Sequence, residues 1–308
     1  MLRRVLLAAS ASPRLRQLIV TAPQTRAIVD SYVAGETADD AVRVTRSLRS
    51  AGLLVTLDYL GEDTTDEAQA AAVVDEYVKL LGKLGADGLT QGAGAEVSVK
   101  PTAVGLALDP RLAVGNIRHI AAAARDAGTT VTLDAEHYDA IEPTLRIASS
   151  LRAEYPDLGC VIQACLRRSE ADCRSLAGYG TRVRLCKGAY SEPESVAYTA
   201  KRDVDLAYAR CLRVLMNGSG YPMMATHDPR LIEITGSLAM LTGRAADSFE
   251  YQMLYGIRPG EQRRLAGTGA RMRVYVPYGG DWYGYLVRRL AERPRNLAFF
   301  LRSLGSRS

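Results

Sequence analysis

The sequence predicts an α/β fold, a closed (βα)8 barrel. Three observations predict it. From Gly52 onward, eight short apolar or β-branched runs alternate with longer segments of helical periodicity. Each run reads as continuously apolar rather than alternating, as expected of parallel strands covered on both faces. Strand–helix–strand crossovers are right-handed, so eight of them stack helices outside a sheet that closes on itself. The competing doubly wound open sheet carries GxGxxG after its first strand, whereas Gly92 and Gly94 here precede a strand.

The predicted strands are 53–59, 96–100, 129–134, 159–166, 181–187, 222–226, 249–253 and 272–276. The predicted helices follow them in order. Thr65 starts the first, over 68–84. Asp109-Pro110, a cap followed by proline at the first helical position, starts the second over 111–127, which Gly128 stops. Segments 141–154, 169–178 and 196–217 come next. Asp228-Pro229 repeats the capping device before 230–241, and 281–291, after the last strand, supplies the helix of the eighth unit. Segments 13–20, 25–33 and 38–51 also look helical but belong to no βα unit. They predict an N-terminal arm over residues 1–51 packed on a barrel of residues 52–308, one domain overall.

Composition narrows the function. With 47% hydrophobic and 24% charged residues, the chain has the balance of a soluble globular protein. Its net charge of +5 is small and no Lys/Arg run exceeds two, which argues against nucleic-acid binding. Five cysteines, an odd number without a CxxC pair, fit a reduced cytoplasmic setting better than a disulfide framework. Three histidines, none at a metal-ligand spacing from a cysteine, serve zinc poorly. The apolar run at 5–9 is too short for a signal peptide, and no stretch approaches the ~20 residues of a membrane span.

Barrel enzymes carry their sites at the C-terminal ends of the strands. That rule selects Lys100, Asp134, Glu136, Gln163, Arg184, Lys187, Thr226, His227, Glu250, Gln252 and Tyr275. Each alone has a plain structural reading: a strand-end cation caps a surface, and His227 beside Asp228 is helix-start chemistry. Their convergence argues for a ligand, because burying many charges without neutralising them is costly. On the final helix Tyr285, Arg288, Arg289 and Glu292 fall at i, i+3, i+4 and i+7, on one face. That pattern fits a solvated charged face. It also fits a pair of guanidinium groups gripping a carboxylate.

Seven segments resemble the signature blocks of proline dehydrogenases. They are VSVKPTAVG (97–105), TLDAEHYD (132–139), VIQACLRR (161–168), RVRLCKGAY (182–190), MMATHDP (223–229), FEYQMLYG (249–256) and VYVPYGGDWYGYLVRRLAERP (274–294). The resemblance implies a distorted TIM barrel with its last helix over the mouth. It implies FAD-dependent oxidation of L-proline to 1-pyrroline-5-carboxylate by hydride transfer to flavin N5, the first step of proline catabolism. It also implies a quinone-type acceptor, at most peripheral membrane contact, and a partner pyrroline-5-carboxylate dehydrogenase.

Carried over by position, Lys100, Arg288 and Arg289 would bind the substrate carboxylate. Tyr275, Tyr285, Leu254 and Ala189 would wall the ring, and Asp134 would organise the pocket floor. Arg184 would lie against flavin N5, with Gln163 at the ring edge. Lys187, Gly188, Ala189, Tyr190, Thr226, His227, Glu292 and Ala135 would hold the rest of FAD. Pro101, where the family often has Leu, and a short 278–281 loop depart from the pattern. Two other readings stay open: a barrel aldolase using Lys100 or Lys187 as a Schiff-base nucleophile, and a non-catalytic barrel that binds an anionic metabolite or a protein partner.

Overall fold

The computed structural model describes residues 29–61, 64–178 and 180–291, apart from the side chains at 93, 288, 290 and 291. The helix expected at 13–20, most of that at 25–33, and Glu292 lie outside the described residues. Eight parallel strands close into a barrel in sequence order: β1 (Leu54–Tyr59), β2 (Ala95–Val99), β3 (Val131–Leu133), β4 (Gly159–Gln163), β5 (Arg182–Cys186), β6 (Tyr221–Ala225), β7 (Glu250–Leu254) and β8 (Met272–Tyr278). The ring shuts where β8 pairs with β1, Tyr275 lying beside Thr56.

Described helices are α1 (Ala38–Ser50), α2 (Glu67–Ala86), α3 (Pro110–Asp126), α4 (Tyr138–Leu151), α5 (Ser169–Ala177), α6 (Lys201–Asn217), α7 (Pro229–Leu241), α8 (Pro259–Gly267) and α9 (Trp282–Ala291). The two Asp-Pro starts act as expected, with Asp109 accepting from the Arg111 amide at 2.8 Å and Asp228 from the Arg230 amide at 3.1 Å. At α2 the cap is Asp66 rather than Thr65. Helix α6 starts at Lys201 rather than 196, because the stretch before it loops back to pair Ala197 with Leu166. Helix α8 has no counterpart among the expected elements. Its nine residues, PGEQRRLAG, bury only Gln262 and Leu265, too little for an apolar period.

The strands correct one expectation. They alternate. Outward positions such as Val55, Leu57, Val97, Val183, Leu185 and Val274 join helix residues Tyr77, Leu80, Ile117, Ile120 and Leu212 in the main core. Inward positions are polar and equally buried: Thr56, Glu96, Ser98, Thr132, Arg182, Arg184, Glu250, Gln252 and Arg273. Burial on both faces therefore does not require apolar residues on both, provided the inner set is mutually hydrogen-bonded.

Pairing near the N-terminal ends of the strands meets that condition. Arg273, fully buried, donates to Glu250 through Nε at 2.7 Å and Nη2 at 3.0 Å, and to the Val55 carbonyl at 2.9 Å. Tyr221 adds a hydroxyl to Glu250 at 3.1 Å, while Glu96 accepts from Thr56 at 2.7 Å and pairs with Arg182. Glu250 thus belongs to this lower network, not to the mouth where the sequence reading placed it. As the first residue of β7 it sits two residues below Gln252, about 7 Å along a strand.

Helix α9 sits apart from the outer helical ring. Its Trp282, Tyr283, Tyr285, Leu286 and Val287 cluster with Tyr32, Val33, Leu60 and Ile257. Trp282 Nε1 also donates to Glu36 at 3.1 Å. At Gly256 a Cβ would stand 1.8 Å from the Ser31 carbonyl, so only glycine lets the segment before α1 approach this closely.

Candidate active site

A cavity of about 490 Å³ opens at the C-terminal ends of the strands. This is the size of a small-molecule site. Every strand, or the residue just after it, contributes: Asp58, Lys100, Asp134, Gln163, Arg184, Thr226, Gln252 and Tyr275. Tyr285 and Arg289 of α9 line it from the other side. Of the residues expected at the site, Ala135, Lys187, Gly188, Ala189, Tyr190, His227 and Leu254 line it as well.

Asp134 stands at the centre. Its Oδ1 accepts from Arg184 Nη1 at 2.7 Å and its Oδ2 from the Tyr275 hydroxyl at 2.7 Å. Arg184 is held further by Ser98 at 2.8 Å and by Gln252 at 2.6 Å, with its guanidinium 5.2 Å from the Tyr275 ring centre. Burial pushes the Tyr275 hydroxyl far above its ordinary pKa, and the charge of Asp134 adds to the shift. Tyr275 therefore stays protonated and donates.

Lys100 meets a partner the sequence reading missed. Its ammonium lies 2.6 Å from both oxygens of Asp58, at the end of β1. A carboxylate interrupting the otherwise apolar LLVTLDY run was the available signal. Lys187 likewise bridges Asp205 and Asp228, the latter at 3.0 Å. A hydrogen bond from Arg230, then the Lys187 contact, holds the Asp228 carboxyl well below its usual range against the opposing effect of burial. Both lysines therefore face carboxylates, whereas a Schiff-base nucleophile calls for a mostly apolar pocket.

The turn after β5 needs its glycine. Gly188 has φ +105°, and a Cβ there would lie 2.3 Å from Cys165 Sγ. Tyr190 packs against His137 with ring centres 4.3 Å apart and planes tilted by 51°. Gln163 Nε2 donates to the Glu136 carbonyl at 2.7 Å. Burial raises the Glu136 carboxyl, although it accepts from both the amide and the hydroxyl of Thr102. His227 Nε2 accepts from the Leu254 amide at 3.0 Å, which puts the proton of the neutral ring on Nδ1.

A family model described as proline dehydrogenase matches residues 41–302. The chain belongs to the proline dehydrogenase family. As a member it is an oxidoreductase, and the seven blocks quoted from its sequence all fall inside the matched region. Proline dehydrogenase 1 of Bacillus subtilis is 40% identical over 304 residues, covering 99% of each chain. Proline dehydrogenase of Deinococcus radiodurans is 36% identical over 307 residues, covering 98% of this chain and 97% of that one. The structure of proline utilization A from Bdellovibrio bacteriovorus inactivated by N-propargylglycine matches with a TM-score of 0.80 at 28% identity. That match covers 92% of this chain but only 34% of the longer protein.

Proposed function

We propose that this proline dehydrogenase family member oxidises L-proline to 1-pyrroline-5-carboxylate with FAD as its cofactor, the first step of proline catabolism. One observation carries the reading: the Asp134–Arg184–Tyr275 cluster shares a single cavity with Tyr285 and Arg289 of α9. Arg289 on α9 and a hydrogen-bonded floor line one small space. Purified protein should be yellow, and adding L-proline without oxygen should bleach the flavin absorbance. A protein that keeps its colour with proline present overturns the proposal.

The residues present fit FAD. Arg184 presents an oriented guanidinium and His227 an Nδ1–H donor, beside the amide of Gln163 and the ammonium of Lys187. In this reading Ala135, Thr226, the turn from Lys187 to Tyr190, and Glu292 hold the remainder of the cofactor. When bound, FAD supplies N5 as acceptor for the hydride that leaves the carbon beside the proline nitrogen.

The chain's own residues do the rest. Arg289, with Arg288 and Lys100, fixes the substrate carboxylate, which supplies the orientational part of catalysis. Tyr275, Tyr285, Leu254 and Ala189 wall the ring and keep water out. Asp134 holds Arg184 and Tyr275 in place, and Arg184 places positive charge where negative charge gathers. The substrate amine resembles that of Lys, with a reference pKa of ~10.4, and must be deprotonated for its lone pair to assist. The reductive rate therefore rises with pH across the neutral range. A flat profile between pH 6 and 9 in stopped-flow measurements would count against this step.

Electrons leave to a quinone-class acceptor, and the product passes to a pyrroline-5-carboxylate dehydrogenase. Among the described residues no helix is long and apolar enough to cross a membrane. A cytoplasmic enzyme with peripheral membrane contact at most is the location that goes with this function. Reoxidation of the reduced protein by a soluble quinone, faster than by oxygen, is the expected result.

A further inference from the structure

From Arg184 a path of buried groups runs down the barrel. Its Nε donates to Gln252 Oε1 at 2.6 Å, and Gln252 Nε2 donates to Glu250 Oε1 at 2.6 Å. Glu250 accepts from Arg273 Nε at 2.7 Å, and Arg273 Nη1 lies 3.6 Å from Glu96. Arg184 Nη2 stands 4.0 Å from Glu96, which turns the path into a ring. Gln252 is 2% exposed and Glu250 fully buried.

The direction of the Gln252 amide follows from what its neighbours can do. A guanidinium only donates, and an ionised carboxylate only accepts. Burial pushes the Glu250 carboxyl up, but Arg273 outweighs it, so the group is ionised. The amide nitrogen must therefore face Glu250 and its oxygen must face Arg184. Ser98 and Asp134 hold Nη1 of the same guanidinium. Anchors on both Nε and Nη1 fix the plane of the group. With Nη1 alone, it can turn.

We propose that Gln252, its amide direction dictated by Glu250, is a positioning residue that fixes the plane of the Arg184 guanidinium and thereby the ease with which the site accepts electrons. The proposal rests on the assignment of Arg184 to the flavin edge. Glu250 acts from outside the cavity, its hydrogen-bonded route to Arg184 running through Gln252.

Gln252→Met keeps the volume and removes the acceptor. In the FAD-loaded protein, KM for proline should stay within about twofold while kcat falls about tenfold, since the carboxylate clamp is untouched. The midpoint potential of the bound flavin should fall by about 30 mV, a tenfold change for a two-electron couple. Glu250→Gln should move the potential in the same direction, and the double variant should change it by less than the sum of the two. An unchanged potential in folded, fully loaded Gln252→Met overturns the proposal, as does a risen KM with unchanged kcat.

A flavin-free readout separates this proposal from the functional reading. The Arg184 Nε–H signal in nitrogen-15 NMR should resist solvent exchange in the parent protein and lose that protection in Gln252→Met. Equal protection in both sinks the positioning role even if proline bleaches the flavin. Normal loss of protection, with no bleaching in the parent, sinks the functional reading and leaves the positioning role standing.

Discussion

Arg289 lines the cavity from α9, and in the proposed complex it grips the substrate carboxylate. A charge-assisted hydrogen bond is worth about 1.5–3 kcal/mol. At 1.36 kcal/mol per decade, Arg289→Met should raise KM for proline about 10–150-fold. An unchanged KM would reject the assignment. Tyr275→Ser should open space at the ring and raise the ratio of hydroxyproline to proline turnover. No gain in that ratio removes Tyr275 from the wall. Strand-end side chains such as Asp134, Arg184 and Tyr275 are legible because a polar group inside an apolar run is conspicuous. Asp58 carried the same mark yet was passed over, and only its 2.6 Å contact with Lys100 shows what it does.

The turn from Lys187 to Tyr190 illustrates how an element constrains its residues. Gly188 has φ +105°, and any Cβ there collides with Cys165 Sγ. Gly188→Ala should therefore displace the turn and lower the flavin bound per protein, read as the ratio of 450 nm to 280 nm absorbance. A full complement of flavin in that variant would take the turn out of the cofactor site. Among elements, those with strong local signals were legible: the Asp-Pro starts of α3 and α7, and the β-branched strands. Helix α8 was not, because its start at Arg258 adopts a left-handed backbone, φ 53°, instead of a side-chain cap. The Arg258 guanidinium donates to the His227 carbonyl at 2.8 Å, a contact 31 residues away in the chain.

Closure of the barrel makes its lower network a single electrostatic unit. Burial would push the Glu250 carboxyl above its ordinary 4.5, but Arg273 and its hydrogen bonds hold it down to about 2. A lowered folded-state value means that this stabilisation is present above about pH 4.5 and is lost as pH falls toward 2. Urea midpoints should therefore drop across that window in the parent protein, and the drop should be shallower in Glu250→Gln. Identical slopes would assign the acid sensitivity to other carboxylates.

The sequence by itself determined the barrel, its strand order and the residue types at its mouth, because periodicity, capping and strand-end position act over a few neighbouring residues. Which end of the barrel a charge faces and which partner neutralises it were decided only by tertiary structure. Glu250 and Gln252 lie two residues apart on one strand, yet Glu250 pairs with Arg273 deep in the barrel while Gln252 reaches Arg184 at the cavity. The physical reason is distance in the chain: Lys100 lies 42 residues from Asp58, and Arg184 lies 50 from Asp134. Only assembling the strands side by side into one curved sheet brings such pairs together in a space where each charge must find its opposite.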